Sequence, residues 1–362
     1  MFFLLFSFDG YFIFEQMKKS LKLFVSKIKQ ETIDSVIVSF NVDSQNAQNY
    51  KFKAGQYLTL SSKINGQTIK RSYSICSSPK SKKLQVGVKA IKNGIFSNYV
   101  NDALREGDIL EVSFPEGRFV LDKKNRDKNY CAFAAGSGIT PIISIAEDIL
   151  DSSEKSIFIL GYGNKTIAST MFKESLGFLL KKFPKRFFCY NIYSSEKVPL
   201  SQFGRIDSGF INYVLNQHTE IKFEKFLLCG PEMMIKNCSE CLEKLSYNKE
   251  NILFELFYST ENEKRTISNS GCRATLIYDK ENFSLDIPKK MTILDAALQK
   301  NIDVPYSCQG GVCSSCLAKI SSGTAKMIQN NILTESEIKD GLVLTCQAVP
   351  QSSSIIINFD DV

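Results

Sequence analysis

The pattern of apolar and polar residues changes twice along this chain of 362 residues. From Leu21 to Phe119, short segments in which apolar and polar residues alternate are separated by turns, such as the turn at Asn65-Gly66. Alternation with a period of two over runs this short is typical of antiparallel strands. This part of the chain is therefore predicted to form an antiparallel β-barrel.

Between Cys131 and Leu256 the pattern is different. Continuous apolar runs at 156–160 and 226–229 alternate with segments of helical periodicity, such as 141–150. Unbroken apolar strands that alternate with helices are typical of a parallel sheet covered on both faces. The segment is predicted to be an α/β domain built on such a sheet.

The remaining third of the chain combines strand and helix signals. Two alternating runs at 273–278 and 283–287 predict a hairpin, Thr292 caps a predicted helix, and Thr334 with Glu337 forms a capping box. Residues 258–271 are polar and have no periodicity, as expected of a linker. We expect a barrel domain at 17–124, an α/β domain at 125–257 and an α+β domain at 272–362.

The first 16 residues are apolar but are interrupted by Asp9 and Gly10. They are too short to span a bilayer and lack the basic start of a signal peptide. We interpret residues 1–16 as an extension or an upstream mis-start, with Met17 as the alternative first residue, and we expect no stable membrane insertion.

Composition excludes several classes of protein. The formal net charge is +7, but no arginine-rich run or interleaved aromatic platform indicates nucleic-acid binding. His218 is the only histidine, which excludes a Rieske centre and disfavours histidine-dependent acid–base catalysis. The chain has 11 cysteines: four belong to the motif described next, and the other seven are scattered through apolar stretches. This distribution favours a reducing, cytoplasmic compartment.

Four cysteines carry the strongest chemical signal. Cys308-x4-Cys313-x2-Cys316, followed by Cys346 from a distant predicted strand, is the ligand spacing of a plant-type 2Fe-2S cluster. Gly310 and Gly311 allow the loop to wrap tightly around a small cluster. Zinc is the alternative metal for these thiolate ligands, but zinc sites usually pair two Cys-x2-Cys knuckles. The other such pair, Cys238 and Cys241, has no second knuckle, and we interpret it as helix packing.

A predicted strand of the barrel carries a candidate flavin site. Arg71 and Tyr73 lie on one face, and Ser74 follows them. The guanidinium can pair with a pyrophosphate, the ring can stack on an isoalloxazine, and the hydroxyl can form a hydrogen bond near its reactive edge. Such a sequence is by itself compatible with an ordinary strand. A glycine turn and Ser97 in the segment Gly94-Ile95-Phe96-Ser97 are predicted to open a helix, whose N-terminus can bind phosphate.

Two loops of the α/β segment are candidates for binding a dinucleotide. In Gly136-Ser137-Gly138-Ile139-Thr140-Pro141 the glycines let the backbone approach a pyrophosphate, although the full G-x-G-x-x-G fingerprint is absent. Cys229-Gly230-Pro231 follows a later strand in the same way, at the end where open α/β sheets bind ligands. A plain strand-to-helix turn is the alternative in both places.

Taken in order, these motifs resemble the ferredoxin-NADP reductase superfamily with a C-terminal plant-type ferredoxin domain. Over residues 20–362 the chain is similar to the reductase components of multicomponent oxygenases, in particular those of phenylacetyl-CoA epoxidases. The similarity is greatest at Arg71-Ser72-Tyr73-Ser74-Ile75-Cys76-Ser77-Ser78-Pro79, at Tyr162-Gly163-Asn164-Lys165-Thr166 and in the loop that carries Cys308, Cys313 and Cys316.

The resemblance implies a β-grasp fold for the C-terminal domain, FAD, NADPH or NADH and a 2Fe-2S cluster as cofactors, and a diiron oxygenase as electron acceptor. It assigns Arg71, Tyr73, Ser74, Gly94, Phe96 and Ser97 to the flavin. It assigns Gly136, Gly138, Thr140, Pro141, Cys229, Gly230 and Pro231 to the nicotinamide nucleotide. Ser74, Cys229 and Glu255 are its candidates for the reacting centre. Lys165 stands where an arginine is common, which leaves NADH and NADPH both open.

Two alternative functions remain open from the sequence. The first is a general NAD(P)H:acceptor reductase that serves another hydroxylase or a desaturase. The second is a redox sensor or electron carrier that keeps the cluster and has lost nucleotide turnover; the intact Arg71, Tyr73, Ser97 and Gly136 loop argue against it.

Overall fold

The computed structural model of the protein describes residues 20–121, 127–257, 271–302, 304–306 and 308–362. The predicted extension at 1–16 and the predicted linker, apart from Gly271, lie outside the described residues. Within the described residues, three main sheets follow one another along the chain. No helix in these ranges is long and apolar enough to cross a membrane.

The first sheet is antiparallel and strongly curled. Its elements are β1 (Ser20–Thr32), β2 (Ser35–Asn41), β3 (Tyr57–Ile64), β4 (Gln67–Ser74), β5 (Leu84–Lys89), α1 (Ile95–Asp102) and β6 (Ile109–Ser113). The strand order is β4-β3-β6-β1-β2-β5, and a single bridge from Ile75 to Val86 joins the two ends. The interior contains fully buried side chains from β2, β3, β5 and β6, among them Val38, Leu58 and Val88.

Two residues, Asn65 and Gly66, determine the conformation of the turn between β3 and β4. Asn65 and Gly66 have φ values of 50° and 82°, which a two-residue hairpin turn requires at both central positions. The turn fixes the register in which Tyr57 pairs with Ser74 at the far end of the hairpin.

The second sheet is parallel throughout. Its elements are β7 (Tyr130–Ala135), α2 (Ile139–Ser152), β8 (Phe158–Asn164), α3 (Lys173–Lys182), β9 (Phe187–Tyr193), β10 (Gln202–Phe203), α4 (Ser208–Asn216), β11 (Lys225–Cys229), α5 (Glu232–Lys244) and β12 (Ile252–Glu255). The strand order is β10-β9-β8-β7-β11-β12. The chain adds β8, β9 and β10 on one side of β7 and then returns to add β11 and β12 on its other side, so the order of the strands reverses at β7. Ligands bind at the carboxyl ends of strands that flank such a reversal.

The third sheet mixes parallel and antiparallel strands. Its elements, with an additional two-stranded ribbon of β16 and β18, are β13 (Cys272–Tyr278), β14 (Glu281–Ile287), α6 (Ile293–Gln299), β15 (Leu317–Ser322), β16 (Ala325–Met327), α7 (Glu335–Lys339), β17 (Leu342–Leu344), β18 (Ala348–Pro350) and β19 (Ser354–Asn358). The predicted hairpin is β13 and β14, and β13 pairs in parallel with β19. The predicted antiparallel barrel, parallel α/β sheet and α+β domain are confirmed.

Local predictions about helices are also confirmed. The Thr292 side chain accepts a hydrogen bond from the Asp295 N–H at 3.1 Å, and the capping box of Thr334 and Glu337 is complete. Cys238 and Cys241 are buried on α5, as the interpretation of helix packing predicts.

Candidate functional site

The three sheet units meet around one cavity of about 600 Å³. This volume is within the range of small-molecule and cofactor sites, which is roughly 300–1,000 Å³. The barrel contributes strand β4, β12 contributes the end of the parallel sheet, and the third unit contributes its cysteine-bearing loop. The lining residues used below are Tyr57, Arg71, Tyr73, Ser74, Arg118, Thr140, Glu255, Cys308, Val312 and Cys313.

The barrel wall of this cavity is the predicted Arg71-x-Tyr73 face. Arg71 is exposed, and its Nη1 donates a hydrogen bond to the Lys70 carbonyl at 2.7 Å. The Tyr73 ring is partly buried, and its centroid lies 6.0 Å from that of Phe96. Phe96 itself is 2% exposed and belongs to the barrel core, so it supports the Tyr73 ring from behind. The wall therefore offers a cation and an aromatic ring side by side.

Ser74 joins the barrel to the parallel sheet. Its Oγ donates a hydrogen bond of 2.9 Å to Glu255 Oε2, across 181 residues of sequence. Burial raises the pKa of Glu255 to about 8, and the Ser74 hydrogen bond partly offsets this rise. A carboxyl group that keeps its proton at neutral pH thus lies on the cavity wall.

The helix after β5 begins earlier than the motif suggests. Gly94 is the N-cap of α1, and the helix starts at Ile95, so Ser97 lies inside the first turn and does not open the helix. Ser97 Oγ accepts a hydrogen bond from the Ile91 N–H at 3.1 Å, which ties the turn at 91–94 to the helix. Because a helix leaves its first N–H groups without internal partners, the backbone here remains a donor site for an anion.

The two glycine loops lie side by side at the carboxyl ends of β7 and β11. A Cβ on Gly138 would come within 2.1 Å of the Cys229 carbonyl oxygen, so only glycine allows this approach. Gly136 has φ +54°, in the left-handed region, and Thr140 and Pro141 follow in the first turn of α2. A Cβ on Gly230 would meet Met234 Cε at 2.7 Å, which is the end of a flexible side chain that can move aside. Pro231 is the N-cap of α5.

Cys229 is the last residue of β11 and pairs in parallel register with Glu255 on β12. Its side chain is fully buried, and this burial, together with the nearby Glu255 carboxyl, raises the pKa of the thiol well above its usual value. Cys229 is therefore a neutral thiol. It is not in the wall of the cavity, in contrast to Glu255.

The four predicted metal-binding cysteines come together as two pairs. Cys308 and Cys313 are hydrogen-bonded to each other through their thiol groups, as are Cys316 and Cys346. The hydrogen bond from Cys313, together with backbone N–H groups of Gly310, Val312 and Cys313, lowers the pKa of Cys308 to about 6. Thiolates are the metal-binding form of cysteine, and this environment favours that form at Cys308. The thiol hydrogen bonds to Cys308 and Cys346, together with burial, instead raise the pKa of Cys313 and Cys316.

Backbone geometry explains how the cluster loop, which we define as residues 308–316, holds its shape. Gly311 has φ +70°, and a Cβ there would meet the Gln329 carbonyl oxygen at 3.0 Å. The Gly310 N–H lies 3.4 Å from Cys308 Sγ and donates to it. The loop thus needs Gly311 for its conformation and uses Gly310 as a donor.

Cys346 reaches the loop from a turn and not from the predicted strand. It lies between β17 and β18, so the predicted strand position is wrong. Thr345 holds the turn against the loop, because its N–H and Oγ1 donate to the Cys316 carbonyl at 3.0 and 2.9 Å. This pair of hydrogen bonds sets the position of Cys346 beside Cys316 without a strand.

The donor set fits two irons better than one ion. No three His, Cys, Asp or Glu side chains of the described residues converge as ligands of a single metal ion. In a 2Fe-2S cluster each iron takes two protein ligands, and two thiol pairs on one loop and one turn supply that arrangement. The paired cysteines therefore match the ligand arrangement of a two-iron cluster.

Several residues that connect the units were not predicted from the sequence. Tyr57 Oη lies 3.0 Å from Ser315 Oγ, Arg118 forms an ion pair with Glu337, and Lys70 Nζ lies 5.2 Å from the centroid of the Tyr306 ring. Val312 is 3% exposed and packs among apolar residues of the parallel-sheet unit. Each pair is far apart in sequence, so no local pattern signals the contact.

Comparison with known proteins agrees with this division of the chain. Residues 22–121 match an oxidoreductase FAD-binding domain, residues 133–240 an oxidoreductase NAD-binding domain, and residues 276–351 a 2Fe-2S iron-sulfur cluster binding domain. FAD, a nicotinamide nucleotide and a 2Fe-2S cluster are therefore the cofactors of the protein.

Full-length relatives share the whole arrangement. The chain is 35% identical to one of the subunits of the Escherichia coli 1,2-phenylacetyl-CoA epoxidase, over 93% of this chain and 97% of the relative. It is 31% identical to the ferredoxin reductase component of a Rhodococcus rhodochrous 3-ketosteroid-9-alpha-monooxygenase, over 94% and 97%. Phthalate dioxygenase reductase is similar in structure, with a TM-score of 0.61 and 25% identity over 94% of this chain and 98% of that one.

The chain thus belongs to the family of flavin and iron–sulfur reductase components that transfer electrons from NAD(P)H to oxygenases.

The raised pKa of the partly buried Glu255 predicts a pH-dependent stability. The folded protein holds the proton up to about pH 8, whereas an unfolded chain releases it near the ordinary value of 4.5. Since the folded state then binds more protons, the free energy of unfolding should fall as pH rises between these values, by up to about 1.4 kcal/mol per pH unit. Urea unfolding followed by circular dichroism at pH 5–9 measures this slope.

Two variants test whether Glu255 is the cause. Glu255→Gln should flatten the slope, and Ser74→Ala should extend it to higher pH because it removes a hydrogen bond that lowers the pKa. Glu250→Gln, at an exposed position nearby, is the matched control and should leave the slope unchanged. An unchanged slope in Glu255→Gln would assign the effect to another group.

Proposed function

We propose that this reductase delivers electrons to a diiron oxygenase component that resembles phenylacetyl-CoA epoxidase. The observation that carries the proposal is the 35% identity to a protein of that epoxidase system over 93% of the chain. The alternative acceptor is the oxygenase of another hydroxylase system, since a ketosteroid monooxygenase reductase is 31% identical over a similar span. A cytoplasmic location agrees with the 11 cysteines, all of which are described and free of disulfides.

Domain boundaries at 17–124, 125–257 and 272–362 are part of this proposal. They are supported by the family matches at 22–121, 133–240 and 276–351, each of which falls within one proposed domain. Each proposed domain also contains one of the three main sheets.

When bound, FAD would supply hydride transfer and one-electron chemistry, and a 2Fe-2S cluster would supply a one-electron relay. The protein has to bind these groups, orient them and exclude water. In the barrel, Arg71 would bind the flavin pyrophosphate and Tyr73 would contact the flavin ring. The N–H groups of Phe96 and Ser97 in the first turn of α1 would bind phosphate, and Gly94, the N-cap, would hold the preceding turn through its N–H bond of 2.8 Å to the Ile91 carbonyl.

On the parallel sheet, the paired loops would hold the nicotinamide nucleotide. Gly136, Gly138, Thr140 and Pro141 form one loop, and Cys229, Gly230 and Pro231 form the other, at the carboxyl ends of the two strands that flank the reversal of strand order. The close approach of Gly138 to the Cys229 carbonyl brings the two loops together, so that one nucleotide could contact both. α2 and α5 begin directly after these two loops, and the positive end of a helix dipole favours a phosphate at such a position.

At the reacting centre, Ser74 and Glu255 would act as a pair that holds a proton. The pKa of Glu255, about 8, keeps the carboxyl group neutral at the cavity wall, and Ser74 orients it through their hydrogen bond. Cys229, a neutral buried thiol, would pack behind the nicotinamide side. Cys308 and Cys313 of the cluster loop would bind one iron, and Cys316 of the loop with Cys346 of the turn after β17 would bind the other.

Removal of the Arg71 charge tests the flavin site. Arg71→Ala deletes a charge-assisted contact to pyrophosphate worth roughly 1.5–3 kcal/mol, so the affinity for FAD should fall about ten- to a hundredfold. Fluorescence titration of the flavin-free protein with FAD measures the change. Arg273→Ala removes an equally exposed arginine from β13 and should bind FAD as the wild type does. Wild-type affinity in Arg71→Ala would remove the flavin site from this strand.

Loss of a cluster ligand tests the order of electron transfer. Cys313→Ser should abolish reduction of a protein acceptor such as cytochrome c and leave NAD(P)H oxidation with ferricyanide largely intact, because hydride transfer does not need the cluster. The wild type should contain about two irons and two labile sulfides per chain. Cys241→Ser, on α5, is the control and should keep both activities. Zinc without sulfide, or loss of both activities in a flavin-loaded Cys313→Ser, would contradict the assignment.

The acceptor is tested by reconstitution. The reductase is combined with the oxygenase subunits of the Escherichia coli phenylacetyl-CoA epoxidase or with a ketosteroid monooxygenase oxygenase, and NAD(P)H-dependent substrate oxidation is measured. We expect at least about tenfold faster turnover with the epoxidase, since each 1.4 kcal/mol of better docking gives a factor of ten. Faster turnover with the ketosteroid oxygenase would favour the alternative acceptor.

A further inference from the structure

Tyr57 lies between the cavity and the cluster loop. It is the first residue of β3, its side chain is 5% exposed, and it lines the cavity. Its phenol oxygen lies 3.0 Å from Ser315 Oγ and 3.5 Å from Ser314 Oγ. The barrel therefore touches the cluster loop through a hydroxyl at the position where the loop carries two serines between Cys313 and Cys316.

The ring of Tyr57 is held in a fixed position. Its backbone N–H donates to the Glu116 carbonyl at 2.8 Å, and the Glu116 N–H donates back at 3.0 Å. Gly117 has φ +120°, and a Cβ there would come within 3.0 Å of Tyr57 Cδ1. The missing side chain at Gly117 thus leaves room for the ring, and the paired backbone bonds set its direction.

Ser315 extends this contact to a ligand of the proposed cluster. Ser315 Oγ lies 3.5 Å from Cys313 Sγ. When Cys313 is a metal-bound thiolate its sulfur carries no hydrogen, so the serine hydroxyl has to be the donor. Burial raises the pKa of Tyr57 above that of an ordinary phenol, and Tyr57 therefore keeps its proton and can donate to the Ser315 oxygen. The single hydrogen of Ser315 is then left for Cys313.

We propose that Tyr57 is a positioning residue that directs the Ser315 hydroxyl toward Cys313 and thereby raises the reduction potential of the cluster. The proposal rests on the proposed function, because it requires the cluster to be bound. A hydrogen bond to a ligand sulfur stabilises the additional negative charge of the reduced cluster. Since Tyr57 belongs to the barrel, the cluster is easiest to reduce while its loop is docked against the barrel.

Redox titration of the cofactor-loaded protein, monitored by electron paramagnetic resonance, tests the proposal. In Tyr57→Phe the ratio of reduced to oxidised cluster at a fixed potential should fall about three- to tenfold. This equals a negative shift of roughly 28–59 mV, because tenfold corresponds to 59 mV for one electron. Ser315→Ala should produce a shift at least as large, and Ser315→Thr, which keeps a hydroxyl, should restore the wild-type potential.

The double variant separates positioning from a direct effect. If Tyr57 acts through Ser315, Tyr57→Phe with Ser315→Ala should have the potential of Ser315→Ala alone. Additive shifts would overturn the proposal, as would a wild-type potential in Tyr57→Phe. A slower transfer from flavin to cluster with an unchanged potential would also overturn it, since Tyr57 would then only dock the loop.

The control variant is Tyr50→Phe. Tyr50 Oη donates a buried hydrogen bond of 2.8 Å to the Val112 carbonyl in the same barrel, away from the cluster loop. This variant should lose stability without a change in the cluster potential, and a shift equal to that of Tyr57→Phe would overturn the proposal. A wild-type protein without any 2Fe-2S signal would instead contradict the proposed function, so the two failures are distinguishable.

Discussion

One cross-strand pair in the barrel connects all three units of the protein. Tyr57 and Ser74 are directly opposite each other in the antiparallel pairing of β3 and β4, and side chains at such positions share a face. Ser74 donates to Glu255 of the parallel sheet, and the Tyr57 hydroxyl contacts Ser315 of the cluster loop. The hairpin thus fixes the barrel, the carboxyl end of β12 and the cluster loop around one cavity.

This constraint places groups of different chemistry within reach of each other. Arg71 and Tyr73 are on the same strand as Ser74. The hydrogen bond from Ser74 to Glu255 therefore also sets the distance between Glu255 and this wall of the cavity. The cluster loop is held by the Tyr57 contact, by Val312 in the apolar core of the parallel-sheet unit, and by Lys70 over the Tyr306 ring. The polar contacts orient the cluster loop relative to the other two units. The apolar contact stabilises its docking, since burial of Val312 removes apolar surface from water.

Burial determines the charge states at the centre of the site. Glu255 is close to neutral because its carboxyl group is withdrawn from water, and the Cys229 thiol is neutral for the same reason. The cluster loop shows the opposite effect at Cys308, where hydrogen bonds favour the thiolate. The proposed reacting centre, where Glu255 and Cys229 are neutral, and the proposed metal site therefore lie on opposite sides of Tyr57, at the same cavity.

The sequence by itself determined the fold classes and predicted the four cysteines that are proposed as cluster ligands. Periodicity of two, continuous apolar runs and the Cys308-x4-Cys313-x2-Cys316 spacing are local signals, and each corresponds to one structure. Tertiary structure alone decided which distant residues meet: Glu255 with Ser74, Tyr57 with Ser315, and Gly138 with the Cys229 carbonyl. It also placed Ser97 inside its helix and Cys346 in a turn. The contacts of Glu255 and Tyr57 depend on how separate sheets pack, and the contact of Gly138 with Cys229 depends on the strand order within one sheet. No short-range pattern of side chains encodes either arrangement.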